Sequence, residues 1–260
     1  METSQAIQPQ GSSAPAVREP RSLPAGTGAS WWGEGWRIFS VSPWRWILIV
    51  IVFLVIDVIL LIIPIIGSLA YSLLFPVFVG GLMLGCHALA RGEPLALGHL
   101  FAGFQGGRFG PLIVLGLIGL GLGIAYAIVL GIVGAITLGT SVLAAMAAGG
   151  GDPTAMAGMV GKMGGGLAIF GLIGLALGIL FFMAFWLAPA LVAVQGVAPM
   201  TAVGMSFRGS MRNIGALIVY VLCYIGLAIV ASIPFGLGWL VLGPMLVGST
   251  YAGWRTIYGD

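Results

Sequence analysis

Charge is what this chain has least of. Ten Lys and Arg and seven Asp and Glu are spread over 260 residues, 7% of the total, against about 25% in an ordinary soluble domain. A soluble globule must present a wetted surface, and a deficit of this size excludes one. Between Trp46 and Trp254 only eight such side chains occur: Asp57, Arg91, Glu93, Arg108, Asp152, Lys162, Arg208 and Arg212. Seven of them fall in breaks between long apolar runs, and Asp57 alone lies inside one. The chain therefore reads as a polytopic membrane protein.

Cysteine and histidine are nearly as scarce, two of each. Cys86 and Cys223 lie within apolar segments and read as small buried hydrophobes rather than as a disulfide or metal pair. His87 and His99 have no Cys, Asp or Glu at ligand spacing, and Glu93 alone does not complete a metal site. His-Glu-x-x-His, Gly-x-Ser-x-Gly and paired carboxylates are all missing, so nothing in the sequence activates a nucleophile or a water. We expect no enzyme and no metal or cofactor. Net charge is +3, but the bases are thinly dispersed, with no patch interleaved with aromatics. A nucleic-acid partner is therefore not expected.

What is present is apolar: 60% of residues are hydrophobic, with 44 Gly, 11 Met and 8 Trp. Residues 1–30 are rich in Ser, Pro, Gln and Gly and read as a disordered cytosolic tail. They lack the apolar core of a signal peptide. Trp31, Trp32, Trp36, Trp44 and Trp46 follow, and tryptophan prefers the headgroup layer. The stretch from Trp31 to Val41 is thus expected as a short helix lying at the interface.

A span needs about 20 apolar residues. Residues 31–260 accommodate six, at about 46–66, 68–90, 111–138, 165–187, 214–234 and 237–256. Turns are expected at Ile62–Gly67 and Ile233–Gly236, and a loop with a short surface helix at 139–164. If the tail is cytosolic, Arg18, Arg21, Arg37, Arg45, Arg91, Arg108, Arg208, Arg212 and Arg255 all face the cytosol and only Lys162 lies outside. This split predicts that both termini are inside.

The apolar text also repeats. Pro76-Val77-Phe78-Val79-Gly80, Pro189-Ala190-Leu191-Val192-Ala193 and Pro244-Met245-Leu246-Val247-Gly248 share one pattern. The block from Pro94 to Gly110 aligns with that from Pro199 to Gly215 at equal length. The expected fold is an all-α membrane protein of six transmembrane helices, arranged as three parallel repeats of interfacial segment plus helical hairpin.

The run Arg91-Gly92-Glu93-Pro94-Leu95, followed by Gly98-His99-Leu100-Phe101-Ala102-Gly103-Phe104, resembles a family of uncharacterised bacterial six-span integral membrane proteins. Gly35-Trp36-Arg37-Ile38-Phe39 and Ser206-Phe207-Arg208 fit the same pattern. More distantly, the chain is similar to the membrane domain that precedes the catalytic barrel of some glycerophosphodiester phosphodiesterases. The resemblance spans about residues 30–258. It implies an inner-membrane location but no activity, since the family has no assigned function to carry over.

Asp57 falls about eleven residues into the first expected span, near the midplane. An ionised carboxylate there costs about 2.5–3.5 kcal/mol even on insertion scales, so it should face the bundle interior. Tyr220, Tyr224, Ser72 or the carbonyls freed by Pro76 are its candidate partners. Two readings stand, a proton relay or cation site and a neutral carboxyl bridging two helices. Pro76, Pro189 and Pro244 lie within expected spans, where each frees a carbonyl and can kink its helix. Gly119, Gly123, Ala127, Gly131, Ala135 and Gly139 recur every four residues, a stripe expected to receive span four at Gly174 and Gly178. Pro199–Arg212 carries Met200, Val203, Phe207 and Met211 at helical spacing beside Arg208 and Arg212, which suits contact with anionic lipid headgroups.

Three functions compete on this reading. They are a membrane-organising or accessory protein that binds lipid or a membrane protein partner, a small-solute or ion transporter using Asp57, and an intramembrane enzyme. The first is favoured.

Overall fold

The structure, a computed structural model, describes residues 19–147 and 153–259. Among them are nine α-helices, one 3-10 helix and no strand. Apolar sequence in lipid must satisfy its backbone within each segment, which leaves helices as the solution. A first helix, α1 (Thr27–Val41), precedes the hairpin of α2 (Pro43–Ile62) and α3 (Ile66–Ala90). The 3-10 helix Leu97–Phe104 leads into α4 (Phe109–Ala147) and α5 (Pro153–Phe185). The short α6 (Ala188–Ala193) and α7 (Pro199–Arg212) lead into the last hairpin, α8 (Ile214–Ser232) and α9 (Trp239–Tyr258). Proline opens α2, α6 and α7, at positions where its missing N–H has no helical partner to lose.

The core gathers at one end of the hairpins. Burial is confined to Trp46 and Ile49 in α2, begins in earnest at Pro76 in α3, and covers Leu112 and Leu115 at the start of α4. It resumes at Met183 near the end of α5, takes in all of α6, and continues through Ala216, Leu217 and Tyr220 of α8 and most of α9. The opposite halves of α2, α4, α5 and α8 expose Leu, Ile and Val along their length. In water that surface would be untenable; in a bilayer it is the expected lipid-facing surface.

Around this hub each short element lies on the second helix of the hairpin before it. The 3-10 helix packs on α3, and α7 packs on α5 and α6. The circuit closes with α1, which packs on α9 and α8. Glycine permits these close approaches. A β-carbon on Gly103 would overlap the Val77 carbonyl oxygen, and one on Gly28 would overlap that of Ala216. One on Gly35 would lie 2.5 Å from the Met245 carbonyl oxygen.

Several expectations are corrected. Residues 27–30, read from composition as the end of a disordered tail, form the first turn of α1. Ahead of them Arg21 N–H donates to the Ile257 carbonyl and Leu23 N–H to the side-chain oxygen of Asn213. Residues 1–18 lie outside the described residues. The helix expected at Trp31–Val41 exists within α1, and it contributes to the core. Trp31, Trp32, Ile38 and Phe39 are buried against α8 and α9, because a helix with large apolar residues on one face gains more from a protein groove than from headgroups.

The loop expected at 139–164 is mostly helix, with α4 running to Ala147 and α5 starting at Pro153. Residues 148–152 lie outside the described residues. Ala and Met are good helix formers, and Pro153 stands at the first position of α5, where its missing N–H costs no helical bond, so both helices continue past the apolar runs.

Five helices are long and apolar enough to cross a membrane: Pro43–Ile62, Ile66–Ala90, Phe109–Thr137, Gly164–Ala193 and Ile214–Ser232. The segment expected as the sixth span is helical as α9, 20 residues long, but it is not among them. Its polar side chains explain the shortfall. Ser249, Thr250, Tyr251 and Trp254 are buried inside the bundle, and Arg255 follows them.

Candidate functional site

Asp57 is the fifteenth of the twenty residues of α2, about 7 Å past the helix midpoint at 1.5 Å per residue and toward the hairpin turn. It is half-buried, and among the described residues it makes no hydrogen bond or ion pair. Tyr71 on α3 is its electrostatic neighbour. Ser72 is turned away, its hydroxyl donating to the Ser68 carbonyl.

Tyr220 and Tyr224 are not brought to Asp57. The Tyr220 hydroxyl is 3.0 Å from Ser249 Oγ and 3.4 Å from Thr250 Oγ1. Its ring stacks on Trp32 at 4.9 Å and touches Trp31 and Trp186. Tyr224 stacks on Trp32 as well and meets Trp239 edge-on. The expected site of Asp57, Tyr220 and Tyr224 therefore divides into a lone carboxyl on α2 and an aromatic and hydroxyl cluster in the hub.

The three prolines behave differently from one another. Pro76 and Pro244 are buried within helices that continue through them. Pro189 instead follows a true break, because α5 stops at Phe185 and α6 restarts at Ala188. Two serines of α7 serve that break. Ser206 accepts the Leu187 N–H at 3.0 Å and donates to the Met183 carbonyl at 2.8 Å, and Ser210 donates to the same carbonyl at 3.2 Å. Both serines are fully buried. The sequence reading missed them; the one signal it offered was two hydroxyls four residues apart on one helix, and neither their burial nor the break beside them is written there.

The glycine stripe of α4 meets a neighbour only at its start. A β-carbon on Gly119 would touch the Phe185 ring at 3.2 Å, whereas Gly123 and Gly131 have nothing within 4 Å and Ala127 is exposed. The two helices meet instead through Tyr126, Leu130 and Gly134 on α4, facing Gly174 and Phe170 on α5. A four-residue period defines a face, but large side chains on the adjacent face reach further and win the contact.

At the hub end most bases are engaged. Arg45 donates to the Leu95 carbonyl and Arg108 to that of Ala193. Arg91 pairs with Glu93, and Arg37 with Glu34, which also has Arg255 at 3.5 Å. The hydrogen bond from Arg37 holds the Glu34 carboxyl below the usual carboxylate range, against a smaller opposing effect of burial. His87 Nδ1 lies 3.0 Å from the Tyr251 hydroxyl, and Gln195 donates to the Tyr258 carbonyl. Asn213 accepts from Leu23 N–H and donates to the carbonyls of Arg21 and Gly209, tying the N-terminal segment to the turn between α7 and α8.

The exposed face of α7 is different. Met200 and Met211 are open, Phe207 is half-buried, and Arg208 and Arg212 stand beside them. Arg208 makes no hydrogen bond or ion pair among the described residues, and Arg212 meets Glu19 only at 3.8 Å, with Glu19 almost fully exposed. A cleft of about 550 Å³ opens here, lined by Glu19, Phe207, Arg208, Met211, Arg212 and Tyr258 among others. Tyr258 brings no negative charge to it. Its hydroxyl keeps its proton in a hydrogen bond to the Met205 carbonyl at 2.6 Å.

Among the described residues no group of His, Cys, Asp and Glu is placed to hold a metal ion. No family model matches the chain, and no solved structure matches it. A protein of Burkholderia thailandensis described as a probable inner membrane protein is 29% identical over 229 residues, covering 88% of this chain and 82% of that protein. With five helices of spanning length and apolarity, the chain is a multi-pass transmembrane protein, similar over most of its length to a bacterial inner-membrane protein.

Proposed function

We propose that this chain sits in a bacterial inner membrane, crosses it six times with both termini cytosolic, and acts as a membrane-organising or accessory protein rather than as an enzyme. Three antiparallel hairpins share one end, and nine of the ten Lys and Arg residues belong to segments at that end or to the N-terminal tail, which supports a cytosolic hub. In this reading α9 is the sixth crossing, shielded from lipid by α1, α2, α3 and α8. The three units of short element plus hairpin are then parallel repeats, and the circuit of contacts around the hub accords with that origin. The resemblance to the membrane domain of glycerophosphodiester phosphodiesterases fits a unit that works beside lipid.

The observation that carries this reading is how the polar groups are used. The hub hydroxyls, His87, Asn213 and the arginines at 45 and 108 are engaged in holding helices together. The cationic and apolar face of α7 is left outward, toward lipid or a partner.

The second reading, a small-solute or ion transporter, rests on Asp57, a half-buried carboxyl without a partner on an apolar helix. Proton and cation flux in proteoliposomes separates the two. We expect wild type and Asp57→Asn to give the same background flux, and their melting to differ by less than about 1 kcal/mol. Wild-type flux well above background that disappears in Asp57→Asn would establish the transporter instead.

A further inference from the structure

We propose that an anionic phospholipid binds where α7 crosses the α4–α5 hairpin, with its phosphate at Arg208 and Arg212 and one acyl chain in the groove between α4 and α5. The proposal rests on the membrane-organising reading above and names the ligand of its outward face. Two openings meet at this place. One is the cationic cleft described above. The other is a groove of about 350 Å³ lined by Leu122, Tyr126, Val129, Leu177, Phe181 and Phe207, with small Ala125 and Ala184 between them. Phe207 lines both, so the charged cleft and the apolar groove adjoin at its ring.

The groove offers a ligand carbon and nothing else. Tyr126 carries its one polar side-chain atom, and that hydroxyl already donates to the Gly174 carbonyl at 3.2 Å. Leu122 to Val129 on α4 and Leu177 to Ala184 on α5 each run about 10 Å along their helix axes, a track suited to a chain rather than to a compact solute. At its head stand two guanidiniums, which match a phosphate in geometry as well as in charge. Among the described residues their only acidic neighbour in the cleft is Glu19, and an ion pair at 3.8 Å with both members exposed holds Arg212 weakly. An acidic peptide would satisfy the arginines and leave the groove empty, and a neutral lipid would do the reverse. An anionic phospholipid uses both.

The test is native mass spectrometry of the full chain, released from detergent after exposure to equal amounts of dioleoyl phosphatidylglycerol and dioleoyl phosphatidylcholine. Two arginines at about 1 kcal/mol each predict a preference for phosphatidylglycerol of about 30-fold in wild type. In R208Q/R212Q the preference should fall toward unity while some lipid is retained. In Ala125→Phe, which fills the groove, retention of both lipids should fall with the ratio unchanged. Melting in lipid-free detergent checks that each variant is folded, and the arginine pair is on the surface, so that arm reads out whether or not Ala125→Phe folds. A preference that survives R208Q/R212Q overturns this site and leaves the organising reading standing. Wild type that retains neither lipid, or both equally, overturns the two together.

Discussion

Gly28→Leu should cost a large share of the fold's stability. The β-carbon alone would overlap the Ala216 carbonyl oxygen and crowd the Tyr220 N–H. These are backbone atoms of α8, which cannot swing aside as a side chain could. Overpacking of a core typically costs about 1–3 kcal/mol, and a clash with backbone belongs at or above the top of that range. A loss of this size is a large share of the stability of an ordinary domain. Gly33→Leu is the matched control. It lies on the exposed side of the same helix with nothing within 4 Å, and leucine there should be neutral or slightly stabilising by helix propensity. Melting in detergent and the monodisperse yield after gel filtration read the difference. If α1 merely lay on the headgroups, both substitutions would be silent, so equal melting of Gly28→Leu and wild type would refute its place in the core.

The second large effect separates two tryptophans that stand two residues apart. Trp46 is 0% exposed and its indole N–H donates to the Ile38 carbonyl at 3.2 Å, while Trp44 is 81% exposed. Trp46→Ala should therefore cost about 3–5 kcal/mol, the usual penalty for removing a fully buried large aromatic. Trp44→Ala should leave melting within about 1 kcal/mol and act, if at all, on how the helix end seats at the membrane border. Melting of the purified variants in one detergent measures both. Similar losses in the two would mean that Trp46 is not the pin between α1 and α2.

These two positions show where the sequence was and was not legible. Long apolar runs broken by Pro, Gly and charge announce hairpins, because a span of about 20 apolar residues has few alternatives in lipid. The turns at Ile62–Gly67 and Ile233–Gly236 were readable for that reason. The tryptophan cluster was not. Composition places Trp at an interface, but nothing local distinguishes Trp44 from Trp46, whose burial depends on a groove supplied by distant residues. The same limit applies to α9, whose polar groups can pack into the bundle because Tyr220, Trp31 and His87 meet them.

The candidate site was legible in part. The amphipathic pattern of Met200, Phe207 and Met211 with Arg208 and Arg212 was visible as a helical period. Its junction with the α4–α5 groove was not, because it depends on how the stripe-bearing helix turns. Asp57 was readable as an anomaly of composition. Its separation from Tyr220 and Tyr224 could not be read, since pairing α2 with α8 required knowing that α1 and α9 fill the space between them. The span break at Pro189 looked like a kink, because a proline within an apolar run carries no sign of whether the helix before it has already ended.

The central claim is that three hairpins cross the bilayer and are gathered by a hub on one face. Site-specific labelling tests it most directly, in a background where Cys86 and Cys223 are replaced by alanine. One cysteine replaces exposed Arg91 at the hub end, and others, each flanked by serines to hold them in water, are inserted between Pro64 and Ile65 or between Gly236 and Leu237. With a membrane-impermeant maleimide, the account predicts that the Arg91→Cys position reacts only in inverted vesicles and the two turn insertions only in intact spheroplasts. Reaction of either turn insertion from the same face as Arg91→Cys would mean that its hairpin does not cross, and would contradict the account.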